Sequence, residues 1–155
     1  MNEEKIEYVE MLFVTLTLGN GMPHQLLWRR VESFCIALSR HTKSHIQAVR
    51  GYERGKNCHE HIIILVPRDE IERFRDRFSS FKSWKAWSWI HEASLFKPEL
   101  KEKAYTYTLV KHEPVLDGDS KSFFCPQYYS RCRKGDCSHY AKIDWKHQLE
   151  LFDLA

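Results

Sequence analysis

The fold is constrained most by the segment Ile62-Ile63-Ile64-Leu65-Val66, because an apolar run of this kind is typical of a strand anchored in the core. The turn-forming residues Arg54-Gly55-Lys56-Asn57 separate this segment from a second strand-like stretch, Ile46 to Glu53. We therefore predict an antiparallel hairpin in which residues 46–53 pair with residues 59–66.

Outside the hairpin, the spacing of apolar residues predicts helices and further strands. The predicted elements are a strand at 11–18, a helix at 23–41, a helix from 69 through at least 78, a strand within 84–96 and a helix at 98–112. Their order along the chain predicts an α+β fold in which helices flank a central antiparallel β-sheet.

Length and composition are those of one folded domain. The chain has 155 residues, of which 43% are apolar, so it can bury a core. We expect residues 1–114 to form the domain and residues 115–155 to form a Cys- and His-rich C-terminal extension packed on it. The net charge of +3 neither identifies nor excludes a nucleic-acid partner. Because no segment has the character of a signal peptide or a membrane span, we expect an intracellular protein without a membrane partner.

His59-Glu60-His61 opens the strand of the hairpin that carries the apolar run. Side chains alternate across a strand, so the rings of His59 and His61 should share one face, roughly 7 Å apart along the backbone. Two neutral imidazoles can bind one divalent ion from such positions. The alternative is a pair of histidines at a strand entrance that bind nothing. The side chain of Glu60 should lie on the opposite face, where it must reach solvent or pair with a base.

A third ligand is expected from the partner strand of the hairpin. If the turn closes over five residues, Glu53 lies opposite His59 and on its face, whereas a shorter turn puts Tyr52 there. Gln47 lies an even number of residues from Glu53, so it should share the same face of the strand, and it is the second candidate. A mixed nitrogen and oxygen ligand set suits Mg²⁺ or Mn²⁺ when a phosphate supplies further oxygens.

Tyr107 and Lys111 are four residues apart in the last predicted helix and therefore share a face. A tyrosine can attack phosphorus and form a covalent ester, and a nearby ammonium group can stabilise the charge that develops. Tyr105 is a rival nucleophile, but it lies about 200° around the helix from Tyr107, so only one of the two can face the metal.

These three features together resemble the HUH-type replication initiators, the Rep endonucleases of rolling-circle viruses and plasmids. The resemblance rests on three motifs in order: Phe13-Val14-Thr15-Leu16-Thr17, His59-Glu60-His61 and Tyr107-Thr108-Leu109-Val110-Lys111. It covers roughly residues 10 to 113 and implies a topology of the RRM or ferredoxin-like kind. Glu60 departs from the family, in which the residue between the histidines is usually bulky and apolar.

The resemblance also implies a reaction, which is site-specific nicking and joining of single-stranded DNA to initiate rolling-circle replication. A Mg²⁺ or Mn²⁺ ion on His59, His61 and Glu53 would polarise the scissile phosphate, and Tyr107, assisted by Lys111, would form a 5′-phosphotyrosine. Basic residues of the hairpin are candidates to hold the DNA backbone, namely Arg50, Arg54 and Lys56.

The C-terminal extension combines metal-ligating and basic side chains. Three thiols and an imidazole form an inventory that suits a structural Zn²⁺ ion: Cys125, Cys132, Cys137 and His139. Their spacing matches no common zinc-finger pattern, so reduced thiols are the alternative. Basic residues within the same stretch could contact nucleic acid: Arg131, Arg133 and Lys134.

Other functions are compatible with the same residues. They are a single-tyrosine transposase or relaxase, a nucleic-acid-binding module with a zinc-stabilised tail and no catalysis, and a metal-dependent hydrolase in which water attacks. The expected partner is single-stranded DNA with an origin stem-loop, in the cytoplasm of a prokaryotic host or wherever plasmid or viral DNA is replicated. No Gly-x-x-x-x-Gly-Lys-[Ser/Thr] segment occurs, so we expect a host helicase to assist, or the chain to be an excised domain.

Overall fold

A computed structural model describes residues 6–19, 24–53, 58–82, 90–109, 121–127 and 131–132. The strands are β1 (Tyr8–Gly19), β2 (Ile46–Glu53), β3 (Cys58–Pro67), β4 (Ile90–Leu95), β5 (Lys121–Phe124) and β6 (Arg131–Cys132). The helices are α1 (His24–Thr42), α2 (Ile71–Lys82) and α3 (Lys101–Leu109), and short 3₁₀ turns precede α2 and α3.

The strands form a single antiparallel sheet in the order β4-β1-β3-β2-β5-β6. The predicted α+β architecture with flanking helices is therefore confirmed. The hairpin expected at 46–53 and 59–66 is present as β2 and β3. Strands β5 and β6 were not predicted, and β5 extends the sheet by pairing with β2.

The face covered by α1 and α2 holds the larger part of the core. Val31, Phe34 and Leu38 of α1 recur at helical spacing and are fully buried, and Phe74 and Phe81 of α2 pack with them. The rings of Phe34 and Phe81 lie 5.7 Å apart between centroids. Helix α1 ends where Lys43 takes a positive φ of 53°, a conformation that commonly stops a helix.

The opposite face of the sheet holds a second cluster, against which Ala104 of α3 packs. Strand β3 contributes to both clusters, since Ile62 and Ile64 face α1 and α2 whereas Ile63 and Leu65 face the second cluster. This two-sided burial explains why the apolar run of β3 is continuous instead of alternating with polar residues. Within the described ranges, no helix is both long and apolar enough to cross a membrane.

Candidate active site

The register of the β2–β3 hairpin decides which residue lies opposite the histidines. Glu53 pairs with His59 and Gly51 pairs with His61, with residues 54–58 between Glu53 and His59. The five-residue spacing that places Glu53 beside His59 is thus the one observed, and Tyr52 pairs with Glu60 instead. By strand alternation, His59, His61 and Glu53 belong to the same face, although the side chains of His59 and Glu53 lie outside the described part of the chain.

The ring of His61 is held by two neighbours from β1. Its Nδ1 atom lies 3.0 Å from the hydroxyl oxygen of Thr15, which is its direct partner across the sheet. Phe13 stacks on the same ring with 5.7 Å between centroids and 19° between planes. Because Nδ1 is engaged by Thr15, Nε2 is the ring nitrogen that could ligate a metal ion.

Helix α3 comes into close contact with the sheet at Gly51, the cross-strand partner of His61. A Cβ atom at position 51 would overlap the carbonyl oxygen of Thr108 and lie 3.2 Å from its Cγ2 atom. Glycine therefore lets the helix backbone rest directly on β2. Since Tyr107 precedes Thr108, the helix that carries both candidate tyrosines packs on the face to which His61 belongs. The side chains of Tyr105 and Tyr107, and all of Lys111, lie outside the described residues.

Strand β4 adds a carboxylate residue that the sequence reasoning missed. Glu92 pairs with Thr15 in the register of β4 with β1, although its side chain lies outside the described part of the chain. The motifs gave no signal for this position, because it depends on the pairing of β1 with a strand about 80 residues later in the chain.

Glu60 is fully buried on the face opposite His61, where its side chain forms an ion pair with the Arg50 guanidinium. The sequence predicted that this carboxylate points away from His61 and either reaches solvent or pairs with a base, and the structure shows the second outcome. Burial raises the pKa of Glu60, while the attraction of Arg50 opposes that shift. Burial acts to lower the pKa of the Arg50 guanidinium, but neighbouring negative groups, Glu60 first, outweigh it and hold the pKa above its ordinary value.

The structure contradicts the role expected of Arg50 and disfavours that of Gln47. Arg50 was a candidate to hold the DNA backbone. Its side chain is 0% exposed and forms ion pairs with Glu60 and Glu32 on the α1 side of the sheet. Gln47 was the second candidate for the metal ligand, but it pairs with Leu65, four residues along β2 from Gly51. That separation is about 13 Å, too far for a shared metal ion.

The C-terminal candidates are only partly described. Cys125 is buried in the cluster that contains Phe123, and Cys132 pairs with Phe123 across the β5–β6 hairpin. Arg131 pairs with Phe124 in the same hairpin. The remaining predicted zinc ligands and basic residues lie outside the described part, as do the hairpin-loop residues: Cys137, His139, Arg133, Lys134, Arg54 and Lys56. Among the side chains that are described, no three of the metal-ligating types converge.

Comparison with known protein families, with curated proteins and with solved structures gave no match.

Proposed function

We propose that this protein is a metal-dependent endonuclease of the HUH replication-initiator type, which cuts and rejoins single-stranded DNA through Tyr107. The observation that carries the proposal is the register of the β2–β3 hairpin, which assigns His59, His61 and Glu53 to the same face of the sheet by strand alternation. The approach of α3 to Gly51 supports it further, because that contact brings the tyrosine helix to the same face. The order of elements β1-α1-β2-β3-α2-β4 is a further support, because the resemblance implies a ferredoxin-like topology built from such a βαββαβ sequence.

The residues present suit a divalent metal ion. The Thr15 hydroxyl holds the His61 ring through Nδ1, and in the tautomer in which Nδ1–H donates to that hydroxyl, Nε2 is the nitrogen offered to a metal ion. Two imidazoles and a carboxylate, from His59, His61 and Glu53, form a set that accepts Mg²⁺ or Mn²⁺. When bound, the ion supplies Lewis-acid polarisation of the scissile phosphate.

The chemistry assigned to the chain is a transesterification. The phenolic oxygen of Tyr107 loses its proton and bonds to phosphorus, and the bond from phosphorus to the 3′ oxygen breaks. The 3′ oxygen takes up a proton and leaves as a free hydroxyl, so no net hydrolysis occurs. Lys111 assists by orienting the phenol and offsetting negative charge. Attack of a 3′-hydroxyl on the phosphotyrosine reverses the step and releases the tyrosine.

The biological setting follows from this chemistry. A free 3′ end can prime DNA synthesis, so the protein would act on the origin stem-loop of a plasmid or viral replicon. It would work with a host helicase in the cytoplasm of a prokaryotic host or wherever such DNA is copied. The same step also serves single-tyrosine transposases and relaxases, and the threonine-bearing strand β1 favours the initiator.

The test is cleavage of labelled single-stranded stem-loop oligonucleotides with randomised loops, in Mn²⁺ and in EDTA. We expect Mn²⁺-dependent nicking with a covalent protein–DNA product that disappears in Tyr107→Phe and in His61→Ala. Tyr105→Phe is the matched control and should retain both nicking and the adduct. Nicking that survives Tyr107→Phe but not His61→Ala would instead assign the attack to water or to Tyr105. Binding of DNA without any nicking would identify a non-catalytic module.

A further inference from the structure

Three charged side chains from three different elements form a buried network on the face of the sheet opposite His61. Arg50 of β2 donates from Nε and Nη2 to the two carboxylate oxygens of Glu60 in β3, at 3.0 Å and 3.1 Å. Its Nη1 atom donates to Glu32 of α1 at 3.0 Å. Arg50 and Glu60 are 0% exposed, and the side chain of Glu32 is 16% exposed.

Stability alone does not account for this network. Removing charges from water is costly, and well-packed apolar residues of similar volume usually stabilise a core at least as well. A bidentate arginine–carboxylate pair differs from apolar packing because it is directional and permits one geometry. Such a directional contact can fix how β2, β3 and α1 are held relative to one another.

Glu60 and Arg50 are chain neighbours of residues that belong to the proposed catalytic site. Glu60 lies between His59 and His61 in β3, so its backbone sets the position of both histidines. Arg50 directly precedes Gly51, which pairs with His61 and supports the Thr108 backbone of α3. The ion network therefore includes the chain neighbours of both histidines and of Gly51, the residue on which α3 packs.

We propose that Arg50, Glu60 and Glu32 are positioning residues, which hold His59 and His61 at the separation needed for metal binding. This inference rests on the proposed function, because it concerns the geometry of the proposed metal site. The three residues lie on the far side of the sheet and act through the backbone of β2 and β3.

The experiment compares four proteins: wild type, Glu60→Leu, Arg50→Lys and the double variant Arg50→Met/Glu60→Leu. Glu60→Leu removes the two-pronged carboxylate contact of the buried guanidinium, so the thermal midpoint of this variant should fall on the order of 10 °C. The double variant removes both buried charges and should regain most of that loss. Arg50→Lys keeps the charge but cannot form the two-pronged contact.

Mn²⁺ affinity, measured by calorimetry, separates positioning from plain stabilisation. We expect the double variant and Arg50→Lys to bind Mn²⁺ at least about ten-fold more weakly than wild type, although the double variant recovers its thermal midpoint. If the double variant folds and binds Mn²⁺ like wild type, the positioning role is overturned. Should the double variant fail to fold, wild-type Mn²⁺ affinity in Arg50→Lys overturns it equally.

Amide hydrogen exchange without metal keeps the two proposals distinguishable. Exchange at residues 50–51 and 59–61 should be about ten-fold or more faster in Arg50→Lys and in the folded double variant. If wild type does not bind Mn²⁺, or binds it unchanged after His61→Ala, the proposed function fails, and the exchange rates still decide whether the network fixes the strand. Unchanged exchange at these amides would refute the positioning role.

Discussion

Thr15 and His61 face each other across the β1–β3 pair, with the Thr15 hydroxyl oxygen 3.0 Å from Nδ1 of the imidazole. Thr15→Val keeps the shape and strand preference of the residue but removes this hydrogen bond. We expect Mn²⁺ affinity to fall about 10- to 100-fold and the free energy of unfolding to fall by about 1–3 kcal/mol. Thr15→Ser keeps the hydroxyl and should retain most of the affinity in calorimetric titration. Equal Mn²⁺ binding by Thr15→Val would contradict a role for the hydroxyl.

Gly51 is the second position at which a small change should have a large effect. In Gly51→Ala the added methyl would overlap the Thr108 carbonyl oxygen, so α3 must move away from β2. We expect loss of about 1–3 kcal/mol in the free energy of unfolding and loss of covalent adduct formation. Chemical denaturation and the stem-loop cleavage assay measure the two effects.

Val49 provides a matched control for that substitution. It is buried on the same face of β2, two residues from Gly51, and Val49→Ala removes atoms instead of adding them beneath α3. Its free energy of unfolding should fall by a comparable amount. Adduct formation, assayed below both thermal midpoints, should persist in Val49→Ala and be lost in Gly51→Ala. If the two variants behave alike, the close approach of α3 is not what adduct formation requires.

Glu70 gives the stability a defined pH dependence. Burial acts to raise the pKa of Glu70, but hydrogen bonds from the side chain and backbone of His45, the charge of His45 and a hydrogen bond from Arg73 outweigh it. The pKa therefore lies below its ordinary value of 4.5. A carboxylate with a lowered pKa stabilises the fold above its unfolded-state pKa, and this stabilisation is lost as pH falls through the folded-state pKa.

Glu70→Gln should therefore be less stable than wild type at neutral pH, and the difference should shrink as the pH falls below about 4.5. Urea unfolding at a series of pH values between 7 and 3 measures this difference. Asp69→Asn is the control for the change of charge, because Asp69 is an exposed neighbour on the same turn. A difference that stays constant over the whole series would show that the Glu70 carboxylate is not the group responsible.

Gln47 is a buried amide whose nitrogen and oxygen have no hydrogen-bond partner within the described part of the chain. Because an unsatisfied buried amide is costly, Gln47→Leu should raise the free energy of unfolding by about 1–3 kcal/mol. Mn²⁺ affinity should not change, since Gln47 lies about 13 Å along β2 from Gly51, the cross-strand partner of His61. Denaturation and calorimetry on the same protein test both statements, and weaker Mn²⁺ binding would restore Gln47 as a ligand candidate.

The sequence was sufficient to predict those parts of the fold that depend on neighbouring residues. The β2–β3 hairpin and helices α1 and α2 follow from turn chemistry and apolar spacing. The sequence narrowed the residue opposite His59 to Glu53 or Tyr52, and the observed length of the turn decides for Glu53. The side chain of Glu60 was likewise restricted, on chemical grounds, to solvent or a basic partner. These inferences concern contacts within about a dozen residues.

Contacts between distant segments could not be predicted in the same way. Arg50 reads as a surface residue of a hairpin, because nothing near it in sequence reveals Glu32 on α1 as its second partner. The position of Glu92 opposite Thr15 depends on the pairing of β4 with β1. Strand β5 is four residues long, and its pairing with β2 likewise depends on residues more than 70 positions earlier.

The contact between Gly51 and the Thr108 backbone also limits how such a chain can evolve. Every other residue carries a Cβ atom, so any single amino-acid change at position 51 meets the helix backbone, which cannot yield as a flexible side chain can. Neighbouring core positions such as Val49 can exchange one apolar residue for another and drift over time. A lineage that keeps α3 in this place must therefore keep glycine at position 51, even after most of the surrounding sequence has diverged.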